Sequence, residues 1–206
     1  MWAAAFVVAG ALVLGACAGS GFHYVKDSDD RTYFKVPESW KLYDNDSLLE
    51  AAEADLSDDE LEQLRETQWM TVFDGHPSPA LSHVVNTAPK HPVGRAIVQT
   101  LSPESADSVS MMLLRNIFYD VDKKLEKQKA EIVTYEPVER DGGFRGSHLV
   151  VKLITAKGDV MVNQIVLLDQ ATTKMYGLLV TCASECYDAS KSKIEQVMDS
   201  WTVEES

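Results

Sequence analysis

Residues 144–182 read "FRGSHLVVKLITAKGDVMVNQIVLLDQATTKMYGLLVTC", the longest part of the chain with a clear strand pattern. Three runs rich in apolar and β-branched residues, at 144–156, 160–169 and 174–182, are separated by short connections of Gly and polar residues. This spacing predicts consecutive antiparallel strands. Residues 162–168 are apolar at odd and even positions alike, so we expect a sheet that is covered on both faces.

One more strand and three helices are predicted around this meander. The strand is "IVTYEPVE" (132–139), which "DGG" (141–143) connects to the next strand as a turn. A helix over 188–200 places its apolar residues at i, i+3, i+4 and i+7, namely at Ile194, Val197, Met198 and Trp201.

The other two helices are predicted in the first half of the domain. One spans 106–119, with Val109, Met112, Leu113 and Ile117 along one side. A shorter one lies in "SDDELEQLRET" (57–67), where Ser57 and Glu60 have the spacing of a capping box. Helices on a mostly antiparallel sheet make the predicted class α+β.

The first residues of the chain indicate export. Residues 2–16, "WAAAFVVAGALVLGA", carry no charge, are short for a membrane span and fit the apolar region of a signal peptide. Leu14, Gly15 and Ala16 before Cys17 resemble a lipobox, at which the cysteine is lipidated and becomes the first mature residue. The alternative is an ordinary secretory signal, with Cys17 incidental.

We therefore predict three segments: a signal peptide at 1–16, a lipidated tether at 17–31 and a folded domain at 32–206. The tether is predicted from its Gly, Ser and Asp content, which buries little apolar surface. The expected location is the extracytoplasmic face of the cell membrane, with the lipid as the membrane contact. The formal net charge of −13 argues against nucleic acid as a partner.

The two remaining cysteines, in "TCASECYD", are expected to pair. Exported proteins keep disulfides, and a bond between Cys182 and Cys186 requires the chain to turn between them, at a strand-to-helix corner. A redox-active pair is the alternative, although its familiar spacing is Cys-x-x-Cys.

Both ends of the domain resemble the PsbP-like superfamily. "TYFKVPESWKLY" (32–43) is similar to its opening strand and Pro/Trp element, and "YGLLVTCASECYDASKSKIEQVMDSWTV" (176–203) to its last strand and final helix. The type that the chain most resembles is the actinobacterial lipoprotein of the LpqN type. The resemblance implies an α-β-α sandwich on a central antiparallel sheet and a binding or assembly role, without catalysis or a cofactor.

The Pro-rich stretch "DGHPSPALSHVVNTAPKHPVGR" (74–95) holds the residues from which other functions can be imagined. His76, His83 and His91 could meet as a zinc site, although loop histidines are more often solvated. Asp74, Ser82 and His83 could form a triad, although such combinations arise by chance.

Trp69 and Phe73 precede this stretch and could border an apolar groove, or could be plain core residues of a strand. We therefore expect an envelope lipoprotein that acts as a noncatalytic binding module for a protein partner or a small apolar ligand. The alternative is an envelope hydrolase or metal-dependent enzyme that uses the loop histidines, and it requires these side chains to converge beside a carboxylate.

Overall fold

The computed structural model describes residues 21–29, 31–53, 55–85 and 88–204. The predicted signal peptide and Cys17 lie outside the described residues. Ten strands are described: β1 (Phe22–Asp27), β2 (Thr32–Pro37), β3 (Lys41–Tyr43), β4 (Gln68–Asp74), β5 (Val93–Thr100), β6 (Ala130–Arg140), β7 (Phe144–Thr155), β8 (Gly158–Leu168), β9 (Lys174–Ala183) and β10 (Thr202–Val203).

The helices of the described residues are mostly short. They are α1 (Asn45–Ala52), α2 (Asp58–Thr67), α3 (Leu81–Val84), α4 (Pro103–Ser108), α5 (Met111–Leu114), α6 (Val121–Glu126) and α7 (Ser184–Asp199). None of these helices has the length and apolar character that crossing a membrane requires. The predicted capping box is present at the start of α2. The backbone N–H and the hydroxyl of Ser57 both donate to the carboxylate of Glu60.

Seven strands form the central antiparallel sheet, in the order β3-β4-β5-β9-β8-β7-β6. The predicted meander is confirmed, since β7, β8 and β9 begin and end within two residues of the expected positions. Residues 162–168 of β8 are all buried, as the apolar pattern on both faces indicated. The two polar side chains in this run donate hydrogen bonds from their amide nitrogens. Gln164 donates to the carbonyls of Leu114 and Arg115, and Asn163 donates to the Tyr187 hydroxyl.

One face of the sheet is covered by α7 and by a small sheet of order β1-β2-β10. Helix α7 begins at Ser184, earlier than predicted, and buries the expected Ile194, Val197 and Met198. Trp201 is also buried, and its Nε1 donates to Thr32 Oγ1 at 2.8 Å. Strand β1 falls within the predicted tether, so that part of the tether prediction is wrong: β1 pairs with β2 along its whole length and buries Val25.

The opposite face is covered by α3 to α6, and here the predicted helix over 106–119 is wrong. The chain breaks at Val109, which has extended dihedrals (φ −68°, ψ 134°), and restarts at α5, where the Ser110 side chain accepts from Leu113 N. Serines compete with the helix for backbone hydrogen bonds, so a break next to Ser108 and Ser110 is physically reasonable. The break rotates the second half, which buries Leu114 and leaves Met112, Leu113 and Ile117 exposed.

The predicted disulfide is present at the corner between β9 and α7. Cys182 is buried near the end of β9, Cys186 lies in the first turn of α7, and their Cα atoms are 5.9 Å apart. Closing so small a loop stabilises the fold by only about 2 kcal/mol through the unfolded chain. Its structural effect is to fix the direction in which α7 leaves the sheet.

Two neighbouring positions in β7 give opposite stability predictions. A Cβ at Gly146 would overlap with the Val166 carbonyl oxygen of β8, so Gly146→Ala should lower the free energy of unfolding by about 3 kcal/mol. Ser147 buries a hydroxyl that has no hydrogen-bond partner, so Ser147→Ala should leave stability unchanged or raise it. Urea unfolding of both variants measures this. Equal losses would contradict the contact described at Gly146.

Candidate functional site

The loop between β4 and β5 brings the three predicted histidines together. The ring centroids of His76 and His83 are 4.5 Å apart, and those of His76 and His91 are 4.6 Å apart. The loop folds this way because it starts and ends on adjacent antiparallel strands, with Asp74 directly opposite Val93. The convergence that the enzyme hypothesis required is therefore found.

Asp74 organises this loop from the end of β4. Its carboxylate is fully buried, and Oδ1 accepts from His76 N at 2.8 Å. Its Oδ2 accepts from Ala80 N at 2.9 Å and contacts His83 Nδ1 at 2.7 Å. One carboxylate thus holds the two backbone turns that lead into α3 and fixes the orientation of the His83 ring.

These contacts also decide the protonation state of Asp74. Burial alone would raise the pKa of this carboxyl, but the hydrogen bonds from His76 N, Ala80 N and His83 outweigh burial and hold the pKa below its ordinary value. Asp74 is therefore ionised at neutral pH. A buried carboxylate with three donors is a stable structural element.

Asp74 and His83 are arranged like the acid and the base of a catalytic triad, but a nucleophile is not in place among the described residues. Among the described residues, no hydroxyl or thiol is hydrogen-bonded to His83 Nε2, and Ser82 is exposed on the preceding position of α3. In the same part of the chain, no set of three His, Cys, Asp or Glu side chains is placed to hold a metal ion. The geometry supports a role in shaping the loop.

A polar recess of about 770 Å³ lies between His76 and the disulfide. Its rim carries both signs of charge, from Lys90, Lys157, Asp159 and Glu185. Charges of both signs at one rim favour neither an anion nor a cation, so this recess has no clear ligand chemistry.

Trp69 and Phe73 have different environments, although both lie on the same face of β4. Phe73 is fully buried against the rings of Phe34 and Trp40, so of the two alternatives for this residue the core one applies and Phe73 is not a binding residue. Trp69 is half-buried and lines a shallow groove of about 330 Å³ beside Leu42. The candidate positions Trp69, Phe73, His76, His83 and His91 thus form no single site.

A group of exposed apolar side chains lies elsewhere, on the face covered by the short helices. Tyr135 of β6 donates from its hydroxyl to the Met111 carbonyl of α5 at 3.2 Å, which places the two elements side by side. Ile132 and Tyr135 pair with Val151 and Leu149, residues of the core beneath these helices, and therefore lie on the same face. We call this the α5–β6 surface; its exposed residues are Met111, Met112, Leu113, Ile117, Ile132, Val133 and Tyr135.

The α5–β6 surface lies at an open edge of the central sheet. Among the described strands, β6 is the last in the order and pairs only with β7. The register shifts between Ile132 and Thr134, which leaves Val133 unpaired and 58% exposed. A bulge of this kind limits further strand pairing at an edge, so side chains rather than the backbone are the groups available for contact.

Comparison with known proteins shows the fold alone. The solution structure of cyanobacterial PsbP (CyanoP) from Synechocystis sp. PCC 6803 matches 93% of this chain and 99% of its own, with a TM-score of 0.52 and 16% identity. The chain therefore has the PsbP-like fold, as the resemblance implied. No protein-family model and no curated protein sequence matches the chain.

Two further structures are more distant. LpqN of Mycobacterium tuberculosis, described as involved in cell envelope biogenesis, has a TM-score of 0.46 at 13% identity, over 89% of this chain and 91% of its own. Protein PA94 of Pseudomonas aeruginosa, of unknown function, has a TM-score of 0.45 at 10% identity, over 90% and 99%. Scores this low support no conclusion about this chain.

Removing the Asp74 charge should destabilise the protein in a pH-dependent way. Asp74→Asn replaces a triple acceptor by an amide, which should lower the free energy of unfolding at neutral pH by about 1–3 kcal/mol. Because the folded pKa is lowered, the wild-type advantage is fully present above the ordinary pKa of 3.8 and is lost as the pH falls through the folded value.

Urea unfolding across this pH range measures the difference. Asp188→Asn, on the exposed side of α7, is the matched control and should change stability little at any pH. A difference between Asp74→Asn and wild type that stays constant into acid would contradict the assigned role of the charge.

Proposed function

We propose that this chain is an envelope-anchored, noncatalytic binding module that docks a protein partner through the α5–β6 surface. The observation that carries the proposal is the set of large apolar side chains exposed together on α5 and β6, with Met112 60% exposed and Leu113 47% exposed. Isolated apolar residues at a surface are ordinary, but several of them on two elements joined by the Tyr135–Met111 hydrogen bond favour an interaction site.

The composition of this surface suits contact with another protein. Methionine side chains are flexible and polarisable, so Met111 and Met112 can adapt to the shape of a partner. Tyr135 contributes an aromatic ring whose hydroxyl is already paired and whose face lies 5.7 Å from the Arg115 guanidinium. Aromatic residues, Met and Arg are the types that interfaces favour.

Charged residues lie on two sides of the apolar centre, and they would set the orientation in which a partner docks. Helix α4, immediately before α5, carries the exposed acids Glu104 and Asp107. Residues 123–129, in α6 and just beyond it, contain four lysines, and α6 packs against β6. The matching partner surface is apolar at its centre, basic where it meets α4 and acidic where it meets the lysines, which sets the orientation of docking.

The proposed location rests on cysteine chemistry. The disulfide between Cys182 and Cys186 suits an oxidising compartment outside the cytoplasm. Cys17 follows a lipobox-like sequence, and acyl chains on it would add about 0.8 kcal/mol for each buried CH₂. The domain begins a few residues after Cys17, because β1 starts at Phe22, so an anchored domain would lie close to the membrane.

Site-specific crosslinking tests the docking surface. A photoreactive amino acid at Met112 or Val133, introduced into the full chain in its native cells, should give the same crosslinked protein from both positions. The same group at Lys191, an exposed position of α7, should give none of it. Leu113→Asp should lower the yield at Met112 by about tenfold or more, since a charge at the centre of an apolar interface is costly.

Two outcomes contradict the docking proposal. One is a crosslinking pattern at Met112 and Val133 that equals the pattern at Lys191. The other is a product that contains only a second copy of this chain, which would make the surface a site of self-association.

Lipidation is tested at Cys17. Wild-type chain produced in its native cells should incorporate labelled palmitate and remain with the membrane fraction, while Cys17→Ser should lose the label and become soluble. The control is Cys186→Ser, which removes a cysteine but leaves the anchor and should stay with membranes. Membrane retention of Cys17→Ser would show that the anchor proposal is wrong.

A further inference from the structure

A separate cavity of about 230 Å³ lies beneath the short helices, between β5, β9 and the segment that follows α5. Its walls are mostly apolar and include Val84, Val93, Phe118 and Leu179. Gly177 of β9 leaves space for the Phe118 ring, which forms one wall, because a Cβ at Gly177 would lie 2.8 Å from Phe118 Cζ. Val85 also borders the cavity and is 81% exposed, so the cavity reaches solvent beside it.

Arg95 lies in this apolar cavity, where none of the residues that the structure describes gives it an anionic partner. It follows Val93 and Gly94 in β5 and shares the face that the short helices cover, opposite Leu179 of β9. Its guanidinium carbon is 4.8 Å from the centroid of the Phe118 ring. Its Nε is buried and has no hydrogen-bond partner, and among the described residues no carboxylate pairs with it.

Neighbouring groups leave the Arg95 charge largely uncompensated. The contact with Phe118 contributes about 0.5–2 kcal/mol. Tyr119 lies close enough for its phenol to affect Arg95, but burial raises the pKa of Tyr119, so the phenol is neutral at physiological pH. An arginine side chain stays protonated in proteins, and a half-buried cation without a counter-ion is unfavourable. An anion in the cavity would relieve this cost.

We propose that this cavity binds a small monocarboxylate with an apolar body, with its carboxylate on the Arg95 guanidinium and its body against Val93, Phe118 and Leu179. The planar guanidinium matches a carboxylate with two parallel hydrogen bonds. Thr181 and Tyr119 also border the cavity, but the Thr181 hydroxyl donates to the Met161 carbonyl and is hydrogen-bonded to Tyr119, so Arg95 is the main donor for the carboxylate. Inorganic anions are disfavoured because they would make no apolar contacts with the walls of the cavity.

The volume limits the size of the ligand. A dry cavity of about 150 Å³ accommodates benzene, so about 230 Å³ suits a ligand of roughly eight to ten non-hydrogen atoms. Octanoate has this size, and a longer acyl chain could leave past Val85. The residues that line this site are different from those of the α5–β6 surface.

Calorimetric titration of the purified full chain tests the proposal with three probes: octanoate, 1-octanol and inorganic phosphate. Octanoate should bind, 1-octanol should bind at least about tenfold more weakly, and phosphate should not bind measurably. Arg95→Met should reduce octanoate affinity about tenfold or more and leave 1-octanol unchanged. Arg65→Met, which changes an exposed arginine of α2, is the control and should match wild type.

If Arg95→Met does not fold, nuclear magnetic resonance of the wild-type chain tests the same proposal without a variant. Octanoate should shift the Arg95 Nε–H signal and the methyl signals of Val93 and Leu179, and leave the Arg65 Nε–H signal in place. Three outcomes would overturn the proposal: octanoate and 1-octanol bind equally, phosphate binds as well as octanoate, or Arg95→Met binds octanoate like wild type.

Discussion

Strands β8 and β9 are buried on both faces, and this burial determines how the other elements are arranged. A sheet whose central strands are apolar on each side requires two layers of cover, and the two layers here are made differently. On one face α7 and the small sheet supply a continuous layer that includes Trp201 and Phe34. On the other face, helices of four to six residues supply the cover.

The difference between the two layers explains where binding is possible. A 16-residue helix can present a full apolar stripe to the sheet and leave only polar residues outside. A helix of four residues, such as α5, has barely one turn, so it buries Leu114 while its other apolar side chains stay exposed. Short helices also leave gaps between them, and one such gap is the cavity that contains Arg95. Both proposed sites thus result from the covering of this face by several short helices instead of one long helix.

The sequence predicted the parts of the fold that depend on periodicity and local geometry. The meander, the apolar stripe of α7, the capping box at Ser57 and the pairing of Cys182 with Cys186 all follow from patterns within a few residues. The helix over 106–119 was wrong because an apolar periodicity continued across Ser108 and Ser110, where side chains break the backbone ladder. Strand β1 was missed because its polar residues face solvent and only Val25 is buried.

The sites were harder to predict because they depend on distances across the sheet. Nothing in the spacing of a Pro-rich loop shows that His76, His83 and His91 converge on each other or that Asp74 accepts three hydrogen bonds. Arg95 did leave a signal, since a lone arginine in the apolar strand "VGRAIV" must either reach solvent or meet a counter-charge. Neither applies fully, because Arg95 is half-buried beside Phe118 and Tyr119, which lie more than twenty residues away in the chain.

The two proposed sites are built on one stretch of chain. Ile117 is exposed on the α5–β6 surface, and the next residue, Phe118, lines the cavity and contacts Arg95. A ligand that packs against Phe118 acts on the same short connection that positions Ile117 and α5. Where such a ligand favours one arrangement of this connection, its binding changes the affinity for a docked protein, and the protein changes the affinity for the ligand by the same factor. The fragmented layer therefore places the two proposed sites on adjacent residues of one connection, which a single long helix over this face would not do.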